Sequence, residues 1–258
     1  MYADAHCHLA DPRFDKLRPE MLERAQAAQI KIFLQGGVDP ADWRRQDELA
    51  GSGWYRCYGL HPWFVNEADE QTCDAALKDL EGRLRDATAL GELGLDRGPR
   101  LDPMAYPRQI DMFEKQLHLA IRHDKPLVLH VVRAHAQALT ILASFKRPWR
   151  GIVHGFNASF EVGSAYLDMG LGLSVGGALT RPGYKKLKNA IGRFPMERIL
   201  VESDAPDMAP ATYGRCFNEP ESVWLVASAL GKLTNQAAES VLAQSSDNLR
   251  RIFALELQ

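Results

Sequence analysis

Short apolar runs recur along the chain, and each is followed by a polar or glycine-rich turn and then by a longer amphipathic segment. This alternation is typical of βα units, in which a strand and a helix follow one another. Several of the runs are apolar on both faces, as expected of parallel strands that helices cover. The pattern predicts eight strands, at residues 2–5, 31–38, 55–60, 88–95, 126–132, 151–156, 171–177 and 198–203.

The segments between these runs have the spacing of amphipathic helices, most clearly at residues 19–29 and 106–124. At the C-terminal end, residues 236–255 predict two helices, with Ser246 or Asp247 as the N-cap of the last one.

Eight βα units predict an α/β protein, a single (β/α)8 TIM-type barrel domain over residues 1–258. Periodicity alone leaves an open, doubly wound sheet as the alternative. In the barrel, the carboxyl ends of the strands meet on one face, where active sites of this fold lie. We therefore expect the functional side chains at the C-terminal ends of the strands.

Composition narrows the class of protein. The formal net charge is −2, so no overall positive charge attracts nucleic acid. The four cysteines are widely separated, which predicts free thiols in a reducing compartment. We find no signal-peptide pattern and no run of about 18 apolar residues. The sequence predicts a cytoplasmic protein without membrane association, is compatible with a monomer and leaves the oligomeric state open.

Metal-ligating side chains lie at or just after the predicted strand ends. His6 and His8 are two residues apart, and on a strand this places their Cα atoms about 6.6 Å apart on one face. One such pair is a weak signal, because the 8 histidines placed at random among 258 residues would give about 0.25 such pairs. Other strands supply further candidates at the same kind of position: Glu92, His130, His154 and Asp204. Together they predict a metal centre at the mouth of the barrel.

Four histidines and two carboxylates exceed what a single catalytic metal needs, since catalytic zinc usually takes three protein ligands. Two divalent ions that share a bridging carboxylate would use all six. The mixed nitrogen and oxygen donors suit Zn²⁺, Mn²⁺, Ni²⁺ or Fe²⁺, and they tolerate Mg²⁺ with more bound water.

Motifs along nearly the whole chain resemble those of the TatD family of metal-dependent deoxyribonucleases, a branch of the amidohydrolase-like barrels. In order, these motifs are "DAHCHL", "YGLHPW", "GELGLD", "PLVLHVVRAH", "VHGF", "VESDAP", "FNEP" and "DNLRRIF". The resemblance implies hydrolysis of phosphodiesters, with removal of nucleotides from the 3′ end of DNA. It also implies that His6, His8 and Asp204 hold one metal, His130 and His154 hold the second, and Glu92 bridges them.

The chain departs from the family pattern at two presumed phosphate contacts. Family members commonly have an arginine two residues after the strand-5 histidine, but here that position is Val132 and the nearest arginine is Arg133. The Arg-Asn-Glu-Pro stretch of the family is "RCFNEP" here, which displaces Arg215. "ESD" replaces the commoner Glu-Thr-Asp and leaves Asp204 in place.

Further residues near the strand ends are candidates for contacts with the substrate or with a metal ligand. His61 either is held in a turn by the following proline or contacts the phosphate or leaving group. Asp96 could orient a metal ligand and Arg97 could meet a phosphate, while Glu202 either supports a ligand or faces the core. For Trp63, packing against the core is favoured over a base-stacking platform.

The leading hypothesis is a two-metal phosphodiesterase acting on DNA or oligonucleotides, in which Glu92 and Asp204 are catalytic and Asp204 accepts the proton of the attacking water. The alternative is a small-molecule hydrolase of the same superfamily, acting on a phosphoester, lactone or amide, which Val132 would suit. Against its amidohydrolase version, strand 4 carries no lysine that could be carboxylated. A binding protein without turnover is disfavoured because all six ligands are present.

Overall fold

The computed structural model describes residues 1–255, in which eight strands alternate with helices. The strands are β1 (Tyr2–Cys7), β2 (Ile30–Gln35), β3 (Trp54–Tyr58), β4 (Ala89–Asp96), β5 (Leu127–Val132), β6 (Gly151–Val153), β7 (Gly172–Val175) and β8 (Ile199–Val201). The helices are α1 (Arg18–Ala27), α2 (Pro40–Glu48), α3 (Pro62–Glu67), α4 (Glu70–Arg83), α5 (Tyr106–Arg122), α6 (His135–Ser144), α7 (Phe160–Asp168), α8 (Lys185–Ile191), α9 (Val223–Thr234) and α10 (Ala238–Phe253). Short 3₁₀ helices occur at Pro12–Phe14, Pro103–Ala105, Gly177–Thr180, Met196–Arg198 and Pro220–Ser222.

The strands form one parallel sheet in the order β1 to β8, as in a (β/α)8 barrel. Two backbone hydrogen bonds join the two ends of this sheet. The N–H of Asp204 donates to the carbonyl of His6 at 3.0 Å, and the N–H of His8 donates to the carbonyl of Ala205 at 2.8 Å. The predicted barrel is therefore confirmed, and its closure lies next to three of the predicted metal ligands.

Two apolar layers hold the barrel together. The larger one lies between the strands and the surrounding helices, and α5 contributes Phe113 and Leu117 to it. The smaller one fills the barrel interior with residues from seven strands, among them Ala5, Leu34, Cys57, Ala89, Val128, Ile152 and Leu200. Because this interior is packed, the polar side chains at the carboxyl ends of the strands rest on an apolar floor.

The last helix differs from the prediction. Residues 238–253 form one helix, and the two helices predicted within 236–255 are wrong. Ser246 lies inside this helix, where its hydroxyl donates to the carbonyl of Leu242 at 2.6 Å and accepts the N–H of Ala3 at 2.9 Å. Its hydroxyl thus ties α10 to β1 instead of capping a new helix.

All four cysteines are free thiols, and Cys7, Cys57 and Cys73 are buried. Over residues 1–255, no helix has the length and apolar character needed to cross a membrane.

Candidate metal centre

The carboxyl ends of five strands bring the predicted metal ligands together, with Glu92 at the centre. Its Oε1 lies 3.4 Å from His6 Nε2 and 3.1 Å from His8 Nε2. Its Oε2 lies 3.5 Å from His130 Nδ1 and 2.6 Å from His154 Nε2. One carboxylate therefore faces two pairs of imidazoles, one pair with each oxygen. With Asp204, these residues form what we call the ligand cluster: His6, His8, Glu92, His130, His154 and Asp204.

Asp204 joins the His6 and His8 side of the cluster. Its Oδ1 lies 3.7 Å from His6 Nε2 and 3.6 Å from His8 Nε2. Asp204 follows β8 with a φ of +56°, a left-handed conformation that is uncommon outside glycine and costs free energy. The backbone hydrogen bond from Asp204 to His6 holds it there. A strained aspartate aimed at two imidazoles is typical of a functional site.

The donor atoms fit a divalent cation. Among residues 1–255, His6 Nε2 and Glu92 Oε1 are buried and form no hydrogen bond. Buried polar atoms without a partner destabilise a fold, so such atoms in a native protein call for an unseen partner. The donor atoms of His6, His8 and Asp204 lie within 4.8 Å of one another, as do those of His6, Glu92 and His154. Imidazole and carboxylate donors at this spacing suit Zn²⁺, Mn²⁺ or a related ion.

The electrostatics of the cluster favour added positive charge. Burial raises the pKa of Glu92, but the surrounding imidazoles, foremost those of His154 and His6, outweigh it and hold the pKa well below its usual range. Burial lowers the pKa of His8, but Glu92 and Asp204 outweigh it and raise the pKa well above its ordinary value. The carboxylates thus attract a cation to this position, either a proton or a metal.

Two acidic residues lie near His130 and His154, each beside the ring nitrogen that does not face Glu92. His130 presents Nδ1 to Glu92, while its Nε2 lies 3.2 Å from Asp96 Oδ2. His154 Nδ1 lies 3.8 Å from Glu202 Oε1, which accepts the N–H of Gly155 at 2.6 Å. A carboxylate behind a histidine fixes the ring orientation and raises its basicity toward a metal. Asp96 and Glu202 therefore lie next to two of the predicted ligands, and their supporting role stays a prediction.

His61 also faces the cluster, with its Nε2 toward Glu92. Its Nδ1 accepts the backbone N–H of Trp63 at 3.0 Å, so the neutral ring carries its proton on Nε2. Burial, reinforced by the imidazole of His130, holds the pKa of His61 well below its usual range, so the ring is neutral at pH 7. Nε2 lies 3.6 Å from Glu92 Oε2. The turn before α3 therefore fixes the ring and directs Nε2 into the site, while contact of His61 with a phosphate or leaving group stays a prediction.

A cavity of about 260 Å³ opens beside the cluster, and its lining includes Val132, Arg133, Glu202 and Asp204. Arg133 is exposed and has a φ of +53°. This left-handed backbone turns the chain directly after β5 and places Arg133 at the cavity, whereas Val132 is partly buried.

The other two predicted arginines have partners outside the cluster. Arg97 is exposed, with its guanidinium 5.0 Å from the centre of the Tyr106 ring. Arg215 Nε donates to Glu221 at 3.0 Å and lies 3.7 Å from Glu219. Arg215 thus pairs with the acidic residues that follow it in the chain, and its contact with substrate stays a prediction.

Sequence reasoning missed three residues of the site. A Cβ atom at Gly36 would lie 2.4 Å from His6 Cε1 and 2.7 Å from Glu92 Oε1, so only glycine fits there. Asp4 accepts the N–H of Ser203 at 2.9 Å and that of His6 at 3.3 Å, and the Ser203 hydroxyl also donates to it. The available signals were a glycine pair directly after β2 and an aspartate two residues before His6.

Comparison with known proteins places these features in a family. The model of a family described as TatD related DNase matches residues 3–254. The uncharacterized metal-dependent hydrolase YjjV of Escherichia coli K12 is 29% identical over 254 residues, which cover 98% of this chain and 97% of YjjV. The uncharacterized metal-dependent hydrolase YabD of Bacillus subtilis is 30% identical over 259 residues, which cover 99% of this chain and all of YabD.

Solved structures of other proteins superpose on the whole barrel. The crystal structure of YjjV, a TatD homologue, superposes with a TM-score of 0.89 at 29% identity and covers 99% of this chain and 98% of its own. The phosphotriesterase homology protein of Escherichia coli superposes with a TM-score of 0.66 at 14% identity and 98% coverage of both chains, and so shares the fold.

Proposed function

Because the chain belongs to the family of TatD-related DNases, and its relatives YjjV and YabD are described as metal-dependent hydrolases, we propose that it hydrolyses phosphodiester bonds of DNA. In this proposal it removes nucleotides from the 3′ end, and the ligand cluster holds two divalent ions, Mg²⁺, Mn²⁺ or Zn²⁺.

The observation that carries the proposal is the central position of Glu92. Its Oε1 faces His6 and His8, and its Oε2 faces His130 and His154. A carboxylate between two sets of imidazoles suits a bridging ligand, and a pair of ions suits the in-line displacement of a phosphodiester. One ion would leave half of these donors without a role.

Each residue has a defined part in this reaction. Bound divalent ions would lower the pKa of water and stabilise charge on the attacking and leaving oxygens. Asp204 accepts the proton of the attacking water, since its carboxylate is 17% exposed at the mouth. Burial raises the pKa of Asp204, but His8 and the other imidazoles outweigh it, so the group is ionised at neutral pH. His61 donates its Nε2 proton in a hydrogen bond to a phosphate oxygen, and Arg133 contacts the phosphate.

A second candidate is a small-molecule phosphoester or lactone hydrolase. The cavity beside Asp204 favours it, because Val131, Val132, Phe156 and Met208 give much of its wall an apolar character. At about 260 Å³ it is slightly smaller than the cavities that take drug-sized ligands, from about 300 Å³ upward. Such a wall suits an apolar leaving group as well as it suits a nucleoside.

Cleavage of a 5′-labelled single-stranded DNA oligonucleotide tests the proposal. Metal-stripped protein is resupplied with Mg²⁺, Mn²⁺ or Zn²⁺, and a ladder that shortens from the 3′ end is expected. Asp204→Asn should reduce turnover by about 10²-fold or more, because proton acceptance contributes that much. Asp207→Asn is the matched control, since this aspartate of the same loop binds Arg13 instead of the cluster.

Activity of the Asp204 variant equal to that of the wild type would overturn the role of this residue. Absence of cleavage with every metal, while metal binding is measured directly, would overturn the nuclease proposal. Hydrolysis of a p-nitrophenyl phosphoester or a lactone by the same preparation would then support the second candidate.

A further inference from the structure

Trp63 is 52% exposed, which the expectation of core packing did not foresee. Trp43 and Trp149 are buried, and the neighbouring Phe64 packs against the core. Trp63 lies at the start of α3, two residues after His61, and thus at the mouth of the barrel. An aromatic side chain that stays half exposed beside a polar site is free to pack on a ligand.

The exposed indole is nevertheless held in place. Its Nε1 donates to Asp96 Oδ2 at 2.8 Å, and Asp96 in turn contacts His130. The indole centre lies 4.9 Å from the His61 ring and 6.3 Å from the His130 ring, with interplanar angles of 74° and 73°. Trp63 is therefore an ordered aromatic surface in direct contact with the residues around Glu92.

We propose that Trp63 stacks on a nucleobase next to the bond to be cleaved. This inference rests on the proposed hydrolysis of DNA and adds a contact that recognises the base as well as the phosphate. Every base has an aromatic face, so stacking binds single strands with little dependence on sequence. A side chain already fixed by Asp96 loses little conformational freedom when a base packs on it.

The charge of the protein makes such a contact useful. The formal net charge is −2, so general attraction of the DNA backbone contributes little to affinity. Arg133 supplies a local phosphate contact in the proposed function. Stacking on Trp63 provides affinity that depends less on salt concentration than phosphate contacts do.

The test first removes the base from the oligonucleotide and then removes the Trp63 side chain from the protein. Labelled oligonucleotides are prepared intact or with one abasic residue at the first, second or third position from the 3′ end, and KM and kcat are measured for each. In the wild type, the abasic residue at the stacked position should raise KM about tenfold, within the range of about 5- to 160-fold that stacking gives. Trp63→Ala should raise KM for the intact oligonucleotide by the same factor and lose the discrimination.

Trp63→Phe separates stacking from the hydrogen bond to Asp96, because phenylalanine keeps an aromatic face and lacks the Nε1 donor. This variant should retain most of the discrimination between intact and abasic oligonucleotides. Met104→Ala is the control for an exposed apolar side chain, since Met104 lies in the 3₁₀ helix Pro103–Ala105 after β4 and is 84% exposed. It should discriminate as the wild type does.

Discrimination by Trp63→Ala equal to that of the wild type would overturn the inference while cleavage itself leaves the proposed function intact. Equal KM values for intact and abasic oligonucleotides in the wild type, at all three positions, would also overturn it. A wild type that cleaves none of these oligonucleotides would instead overturn the proposed function, and the stacking role with it.

Discussion

Replacing Gly36 with alanine should disable the metal centre while the barrel still folds. The new Cβ would lie 2.4 Å from His6 Cε1, 2.7 Å from Glu92 Oε1 and 2.8 Å from His8 Cε1. Ordinary contacts of a Cβ atom begin near 3.4 Å, so the His6 ring must retreat by about 1 Å. Backbone movement offers no relief, because the N–H of Gly36 is bound to the carbonyl of Cys7 at 3.0 Å.

The size of the effect follows from the tolerance of metal sites. Ligand distances in such sites are held within about 0.2 Å, which is far less than the required shift. We expect the affinity for the ion on the His6 and His8 side to fall by at least the 10- to 100-fold typical of a disturbed ligand orientation. Overpacking should also lower the free energy of unfolding by about 1–3 kcal/mol. Calorimetric titration of metal-stripped protein with Mn²⁺ measures the first quantity, and urea unfolding measures the second.

Gly82→Ala is the matched control, because nothing lies within 4 Å of a Cβ atom at this position in α4. It should leave Mn²⁺ binding unchanged and stabilise the protein by up to about 1 kcal/mol, since alanine favours the helix over glycine. A folded Gly36→Ala protein that binds Mn²⁺ as tightly as the wild type would refute the crowding argument.

Two further predictions concern the surroundings of the cluster. Ser203→Ala should weaken Mn²⁺ binding several-fold because it removes the hydroxyl that links Asp4 to the Asp204 loop. Ser174→Ala is the control and should leave Mn²⁺ binding unchanged, since its buried hydroxyl has no hydrogen bond among the described residues. Equal calorimetric affinities of the two variants would contradict this prediction. Burial lowers the pKa of His135 from 6.5 to about 4, so the unfolded chain takes up a proton there first as the pH falls. His135 should therefore reduce stability between pH 6.5 and 4 by at most about 3 kcal/mol. Thermal unfolding of His135→Gln should show a smaller loss of Tm over this range, and a loss equal to that of the wild type would contradict the lowered pKa of His135.

The order of the elements could be predicted because each strand is an apolar run of characteristic length. The ends of the strands were less accurate. Residues 151–156 were predicted as one strand, but β6 ends at Val153, because Gly155 has a φ of +55° that a strand cannot continue. Asp204 turns the chain after β8 in the same way, with a φ of +56°. Phe156 is nevertheless buried. The apolar pattern of residues 151–156 therefore indicated burial, although only the first part of this run forms a strand.

The ligand cluster could be predicted because strand ends in a barrel meet, whichever strands carry the residues. The role of Gly36 could not, because it depends on how closely the chain after β2 approaches β1, where Cys7 is paired with Gln35. The position of Arg215 depended on a competing partner, since Glu221 in the same segment binds it. Sequence patterns indicate which residues converge but not which backbone atoms or counter-charges they meet.

The proposed centre holds two ions joined by Glu92, and anomalous diffraction from crystals soaked in Mn²⁺ tests this arrangement most directly. Two anomalous peaks are predicted, one beside His6, His8 and Asp204 and the other beside His130 and His154, each next to one oxygen of Glu92. A single peak, or peaks outside the ligand cluster, would contradict the two-ion centre.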